Sequence, residues 1–550
     1  MKCFSIVAAM TACALLLASV PQPVDAKVDK GEQRKNWSEA ENFLKRDKEA
    51  VDEPLAALEK LKGNVDYDLA LEMLKYFDEC DRAWDSAAGD KNAPKESKGR
   101  PKFAYKIANQ ILDNIRAMDD PEECAKFAKV LGDAETYSLR PRMAMVDAVA
   151  ANAKDPACLK VLMDLAGNAG GKQDTDMRVL AVQYLGVHAA EQSVFTTLMQ
   201  ALRDSSWRVR DAAVTALLDA PDNYEDQIVL ALISALAQET GKMRKILADA
   251  LKKLTGENLG TDPDAWIDWF KNKKREEQGL PAKSGKGDRG TRVKVFETET
   301  FSDRYVFLID TSVSMTEKIT PEEKERLQKS ITSGPGDEKD PRRPLDWSKI
   351  NCKLDLAREE MIRSLEVMDP ERTTFTVISF AENATVWKDE LVPTSKENVE
   401  AVADWLRGIK GAKRTNVFGA LDAAYDLSER IAGTDVEKRK PKKPKKGEKE
   451  GPITGKSPDE ALPDTIFLYT DGYATWGKYS GEDALWAGKS NEEKAKLYAP
   501  IMTLMVQEIK DRNRIARITL NCVGVGQRQD NTTLSALARA CGGKYVAIGK

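Results

Sequence analysis

The sequence predicts a multidomain chain: an α-helical array of stacked hairpins, followed by an α/β doubly wound domain with a mostly parallel sheet. Three observations predict it. An arginine-anchored pattern recurs along residues 136–270. Short continuous apolar runs alternate with amphipathic stretches over residues 296–550. Two of those runs end in an aspartate. At 550 residues the chain exceeds a single core, and roughly 100 to 200 residues per domain implies about three units.

The leading segment is set apart from the fold. Lys2 gives a basic start, Ile6 to Val20 is mostly apolar, and Val24-Asp25-Ala26 supplies a small-residue cleavage site. Residues 1–26 therefore read as a secretory signal peptide, and the chain as exported: periplasmic, secreted or at the cell surface. Cys13 lies inside the apolar stretch, which argues against a lipoprotein anchor. No later segment approaches about 20 continuous apolar residues, so no stable membrane span is expected in the mature chain.

Composition removes several function classes. Charged residues are 32% and hydrophobic ones 42%, with a net charge of −4, a balance that points to neither nucleic acid nor an anionic membrane. The one histidine, His188, cannot by itself build a histidine metal site, a Ser-His-Asp triad or a zincin motif. Six cysteines follow the leader (Cys80, Cys124, Cys158, Cys352, Cys522 and Cys541), with no CxxC spacing. They read as buried free thiols; export would permit a disulfide, but sequence fixes no pairing.

Residues 27–135 read as a helical N-terminal region, with Ser38 to Leu61 and Ala104 to Met118 helical and Ala88 to Pro101 a loop. The repeat then begins. Pro141-Arg142-x-Ala144-Met145-Val146 is matched by Met177-Arg178-x-Leu180-Ala181-Val182, by Val209-Arg210-x-Ala212-Ala213-Val214 and, more loosely, by Met243-Arg244-x-Ile246-Leu247. The arginines are spaced 36, 32 and 34 residues, a period typical of stacked helical hairpins whose small residues allow close approach. The pattern resembles HEAT repeats, and Thr255 to Trp266 resembles the closing segment of certain bacterial HEAT arrays. His188 falls in the turn after the second copy. The Lys/Gly/Glu-rich stretch over 271–295 reads as a linker.

In the last part, apolar runs at Tyr305–Ile309, Phe375–Phe380, Thr465–Tyr469, Ile518–Val525 and Tyr545–Ile548 read as strands. Helical stretches at Lys353–Met368, Lys396–Ile409, Asn416–Ile431, Ala499–Asp511 and Leu534–Cys541 lie between them. Continuous apolar strands alternating with amphipathic helices mean a sheet covered on both faces, a Rossmann-like arrangement. Two inserts interrupt it, Thr316 to Ile350 and a loop reaching Glu460. The basic tract Lys438–Lys446 in that loop lacks interleaved aromatics and reads as a solvated loop.

The chemistry gathers at strand ends. Tyr305–Ile309 runs into Asp310-Thr311-Ser312-Val313-Ser314, and Thr465–Tyr469 runs into Thr470-Asp471-Gly472. Thr415 stands immediately before a helix, with Gly408 and Gly411 upstream to loosen its loop. These are hard oxygen donors suited to Mg²⁺ or Mn²⁺, beyond the carboxyl ends of parallel strands where ligands bind. Asp310-x-Ser312-x-Ser314, Thr415 and Asp471-Gly472, in that order, resemble the metal-ion-dependent adhesion site of the von Willebrand factor A (VWA) domain. The resemblance covers 296–550; the main departure is the Thr316 to Ile350 insert beside the site. It implies that Ser312, Ser314 and Thr415 ligate the ion directly and that Asp310 and Asp471 hold its waters. The remaining position would take an acidic side chain from a protein partner.

The expectation is thus a non-enzymatic adhesion or scaffold protein, with a second partner surface on the repeats. One alternative is a metal-dependent hydrolase, for which Glu382 and Glu317 are the nearest candidate carboxylates. Another is a VWA domain whose metal is purely structural.

Overall fold

The computed structural model describes residues 29–82, 104–167, 174–277, 293–295, 298–331, 342–409, 411–438, 461–479, 490–527 and 529–549. The expected leader over 1–26, the expected loop at Ala88 to Pro101 and the basic tract beyond Lys438 lie outside the described residues. Two compact units emerge: residues 1–86 with 94–158, and residues 87–93 with 159–550.

The first unit is helical. It contains α1 (Lys30–Arg46), α2 (Asp52–Glu59), α3 (Tyr67–Leu74), α4 (Phe77–Asp81), α5 (Tyr105–Arg116), α6 (Pro121–Ala125) and α7 (Leu139–Ala151), and it ends within the first turn of α8 (Pro156–Ala166). Asp29 caps α1, accepting from the amides of Gly31 and Glu32, and so satisfies donors that a helix start leaves open. Leu44, Leu58, Leu69, Ile111 and Phe127 are fully buried. The buried Asn114 side chain donates to the Leu58 carbonyl at 2.9 Å. Arg142, in the first copy of the repeat, donates to the carbonyls of Tyr137 and Leu131.

The second unit opens with three helix pairs: α9 (Thr175–Leu185) with α10 (Gln192–Ala201), α11 (Trp207–Leu217) with α12 (Glu225–Leu236), and α13 (Gly241–Thr255) with α14 (Pro263–Glu277). The first helices of the pairs stack in sequence, α9 on α11 and α11 on α13. Arg178 and Arg210 clasp their pairs to the turn before the next one, while Arg244 ties α13 to the turn before α14. Arg178 holds Asp204 through two bonds of 3.0 Å. Arg210 holds Glu239 at 2.5 and 3.2 Å, and Arg244 donates to the Thr261 carbonyl at 3.0 Å. At Arg178 and Arg210 forked guanidinium–carboxylate pairing fixes position as well as charge. His188 closes a short 3₁₀ turn after α9, 3.7 Å from Glu191.

The expected linker starts later than its composition indicates. Helix α14 continues to Glu277 because Lys273 and Lys274 fold back onto Glu225 and Asp226, their ammoniums lying over the Trp269 and Phe270 rings. Tertiary ion pairs here outweigh a weak apolar period. A short antiparallel pair, β1 (Val293–Val295) and β2 (Thr298–Thr300), precedes the main sheet.

The sheet comprises β3 (Arg304–Asp310), β4 (Thr374–Phe380), β5 (Ala384–Val386), β6 (Val392–Pro393), β7 (Thr465–Thr470), β8 (Thr519–Val525) and β9 (Tyr545–Ile548). Its order is β5-β4-β3-β7-β8-β9, with β6 also on β4. The pairs β3/β4, β3/β7, β7/β8 and β8/β9 are parallel, while β5 and β6 are antiparallel to β4. The helices are α15 (Val313–Thr316), α16 (Pro321–Ser330), α17 (Lys353–Leu365), α18 (Lys396–Arg407), α19 (Val417–Lys438), α20 (Asn491–Ala516) and α21 (Asn531–Ala540).

Alternation along β3 explains the two cores. Tyr305, Phe307 and Ile309 face α17 and α18, whereas Val306 and Leu308 face α19, α20 and α21. Both faces are dry, so the strand reads as one apolar run. The chain leaves β3 towards α17 on one face and β7 towards α20 on the other. The winding therefore reverses between the carboxyl ends of β3 and β7, where open α/β sheets form their binding crevice.

The repeats dock at the opposite end of the sheet. Gln183 donates to the Arg514 carbonyl at 2.5 Å, and Arg514 to the Tyr184 hydroxyl at 2.7 Å. Lys242 donates to the carbonyls of Asp464 and Arg517, just before β7 and β8. Burial pushes its pKa down. Lys242 and Arg304 both lie over the Trp207 ring, where cation–π attraction offsets part of the lost hydration.

Cys80, Cys124, Cys158, Cys352, Cys522 and Cys541 are free thiols; five are buried, and Cys352 is half-buried. Burial pushes Cys158 and Cys541 up to about 11, which leaves them poor nucleophiles. Among the described residues no helix is long and apolar enough to cross a membrane.

Candidate metal centre

Asp310, the last residue of β3, is fully buried. One carboxylate oxygen accepts the Ser312 amide at 2.8 Å, and the other accepts the Thr470 hydroxyl at 2.6 Å. Thr470 ends the neighbouring strand β7, so the parallel register itself brings the two strand ends into contact. Burial, then the nearby Asp471 charge, push the Asp310 carboxyl up to about 7. A cation beside it would favour the ionised form.

From Asp310 a line of oxygens crosses to β7. Ser312 Oγ lies 3.1 Å from Ser314 Oγ, and Ser314 donates to Asp471 Oδ1 at 2.8 Å. Ser312 and Asp471 are buried, and Ser314 is half-buried. Two ligand oxygens about 2.1 Å from an octahedral ion, at right angles to each other, stand about 3.0 Å apart. The observed hydroxyl spacing suits that geometry. Among the described residues no three His, Cys, Asp or Glu side chains cluster as metal ligands. Oxygen atoms of this kind would fit a hard cation and not a thiolate metal.

Thr415 reaches the same end of the sheet by its backbone. Its loop pairs with the Ser312 turn, Val313 N donating to the Ala412 carbonyl at 2.8 Å. Thr415 N donates to the Thr475 hydroxyl, and its carbonyl accepts from the amides of Thr475 and Trp476. Asn416 then donates through its amide to Ala381 and accepts from Gly419 N at the start of α19. Thr415 is thus pinned between the loops after β4 and β7, without a direct hydrogen bond to the other four residues. Gly411 serves a close approach: a Cβ there would stand 2.9 Å from Thr316 Oγ1 and 3.3 Å from the Thr311 carbonyl. The loop is tightened by this glycine where loosening was expected.

No family model matches the chain. It is 36% identical over 83 residues to inter-alpha-trypsin inhibitor heavy chain H4 of Bos taurus, a match covering 15% of this chain and 9% of that protein. Against the Homo sapiens heavy chain H4 it is 31% identical over 126 residues, 23% of this chain and 11% of that one. Against von Willebrand factor A domain-containing protein 3B of Homo sapiens it is 28% identical over 76 residues, covering 14% and 6%. The parallel-sheet domain is of the VWA type. The chain spans only a small part of the length of these relatives. Likenesses among solved structures include a von Willebrand factor type A structure from Catenulispora acidiphila: 17% identity, TM-score 0.25, covering 46% of this chain and 40% of that one. The conserved hypothetical protein BatB from Bacteroides thetaiotaomicron is 13% identical, at TM-score 0.24, covering 44% and 89%.

The VWA-type domain holds features that sequence reasoning missed. Lys353, the first residue of α17, places Nζ 2.8 Å from Asp471 Oδ2. Helix α16, inside the insert, buries Leu327 in the sheet core and sets Glu323 3.9 Å from Lys353 Nζ. Val313 and Tyr473, beside Ser312 and Asp471, are large apolar side chains left 40% and 47% exposed. Glu317 and Glu382 take no part in the line of oxygens from Asp310 to Asp471. Spacing along the chain gives no signal for Lys353, because only the folding-back of the insert brings it to β7.

Proposed function

We propose that this chain is an exported, metal-dependent protein-binding protein of the adhesion or assembly-scaffold kind. The observation that carries the reading is the line of oxygens Asp310–Ser312–Ser314–Asp471 at the switch point of a VWA-type sheet. Ser312, Ser314 and Thr415 would hold a Mg²⁺ or Mn²⁺ ion directly, with Asp310 and Asp471 binding its waters. The ion supplies an electrophilic position for an Asp or Glu of a protein partner. Exposed Val313 and Tyr473 would give that partner apolar contact beside the charge. Export rests on the reading of residues 1–26 as a signal peptide.

The helix pairs, read as HEAT-like repeats, would offer a second surface. One of their faces already engages the VWA-type domain, so a second partner would use the other. A hydrolytic role is disfavoured because neither Glu317 nor Glu382 joins the line from Asp310 to Asp471.

The test is a calorimetric titration of Mg²⁺ and Mn²⁺ into the mature chain, wild type beside Asp310→Ala. Saturable binding in wild type that disappears in the variant supports the reading, as does EDTA-sensitive capture of a partner. Equal heats in both proteins, or none, would remove it.

A further inference from the structure

We propose that Lys353 is a resident cation of the site, one that competes with the divalent ion for Asp471 and holds its affinity low. This rests on the metal-binding reading above. The ammonium donates to Asp471 Oδ2 at 2.8 Å while Asp471 Oδ1 accepts from Ser314. Both oxygens of that carboxylate are therefore engaged, one of them by a full positive charge. The pair is sheltered, with side-chain exposures of 15% and 2%, so solvent screens it weakly.

The lysine is placed by structure on every side. Its helix begins where the insert returns to the sheet. Asp355 accepts from the amides of Asn351 and Cys352, and Lys318 bridges Cys352 across the neck of the insert. The stem lies over Gly526, whose φ is +91° and where a Cβ would stand 2.8 Å from Lys353 Cε. A side chain at 526 would meet the lysine stem.

A divalent ion using Asp471 must share that carboxylate with Lys353 or displace it. Glu323, 3.9 Å from the same ammonium, is the acceptor to which Lys353 would turn. The insert thereby supplies both halves of an exchange: the helix start that presents the lysine and the carboxylate that receives it. Metal binding becomes the replacement of one ion pair by another, so its apparent affinity falls by the difference between the pair given up and the pair gained.

The experiment is calorimetric titration of Mn²⁺ into the full mature chain as wild type, Lys353→Met, Lys353→Arg, Glu323→Gln and the Lys353→Met/Glu323→Gln double variant. Melting without added metal accompanies each titration as a check on folding. Lys353→Met is expected to bind Mn²⁺ at least about tenfold more tightly, with Lys353→Arg close to wild type. Glu323→Gln is expected to weaken binding, and to do so less once Lys353 is gone, a coupling that general loss of negative charge would not produce. Binding in Lys353→Met alone, with none in wild type, would support the proposal most strongly. Unchanged or weaker affinity in a folded Lys353→Met, with wild type binding, would overturn this proposal and leave the metal reading standing. No binding in any of the proteins would overturn both.

Discussion

Arg517 Nε lies 2.6 Å from Asp211 Oδ2, joining the end of α20 in the VWA-type domain to α11 of the helix pairs. Asp211 is buried, and the same guanidinium also reaches the Thr215 hydroxyl at 3.0 Å. Arg517 takes a left-handed backbone, φ 52°, directly after the helix. That conformation costs a non-glycine residue about 1 to 2 kcal/mol, and the ion pair offsets it. Arg517→Met keeps the backbone cost and removes the charge, leaving Asp211 buried without this partner. Urea denaturation should show a loss of about 2 to 4 kcal/mol. A loss below about 0.5 kcal/mol, the scale of an ordinary surface change, would contradict the assignment.

Glu360 sits between Arg342 and Arg363, all three side chains almost wholly buried. Arg342 belongs to the returning arm of the insert, so this triad fastens the arm to α17. Glu360→Gln removes the carboxylate that both buried guanidiniums hold and should cost about 3 to 5 kcal/mol in chemical denaturation. The triple change to apolar residues of similar volume should recover most of that loss, because the desolvated charges leave together.

Gly542 and Gly543 are adjacent and should respond differently. At Gly542, φ is +67° with open space around a Cβ; at Gly543 a Cβ would stand 1.9 Å from the Leu520 carbonyl oxygen. Gly542→Ala should therefore cost only the left-handed penalty of about 1 kcal/mol. Gly543→Ala must part the turn after α21 from β8 and should cost about 3 kcal/mol or fold poorly. Thermal melting of the two variants side by side decides it; equal losses would mean that the turn relaxes freely.

In the helix pairs, Arg178→Lys keeps the charge but loses the fork that grips Asp204. Denaturation should register about 1 to 2 kcal/mol, with the far-ultraviolet helix signal unchanged. A neutral result would mean that the clasp repeats without contributing to stability.

Much of this was legible along the chain because it is local. Strands β3, β4, β7, β8 and β9 match the apolar runs within a residue or two, since a strand dry on both faces has little polar interruption. The arginine period was legible in part because Arg178 and Arg210 each hold a carboxylate in the turn before the next pair. The short strands β5 and β6 were missed, being three and two residues long and without an apolar run of their own. Helix α16 was missed inside an insert read only as polar. One buried Leu327 and a Thr320 cap hold it, neither of which makes a period.

By itself the sequence determined which residues carry oxygen donors, that Asp310 ends one buried strand and Asp471 directly follows another, and that helices precede an α/β domain. Those features follow from side-chain chemistry and from the periods of helix and strand. Only the tertiary structure decided that β3 and β7 are neighbours, so that Thr470 bonds Asp310 and Ser314 bonds Asp471. It alone brought Lys353 to Asp471, across 118 residues of chain. An ion pair of that span has no local pattern, because its two charges meet only after the sheet has closed and the insert has folded back.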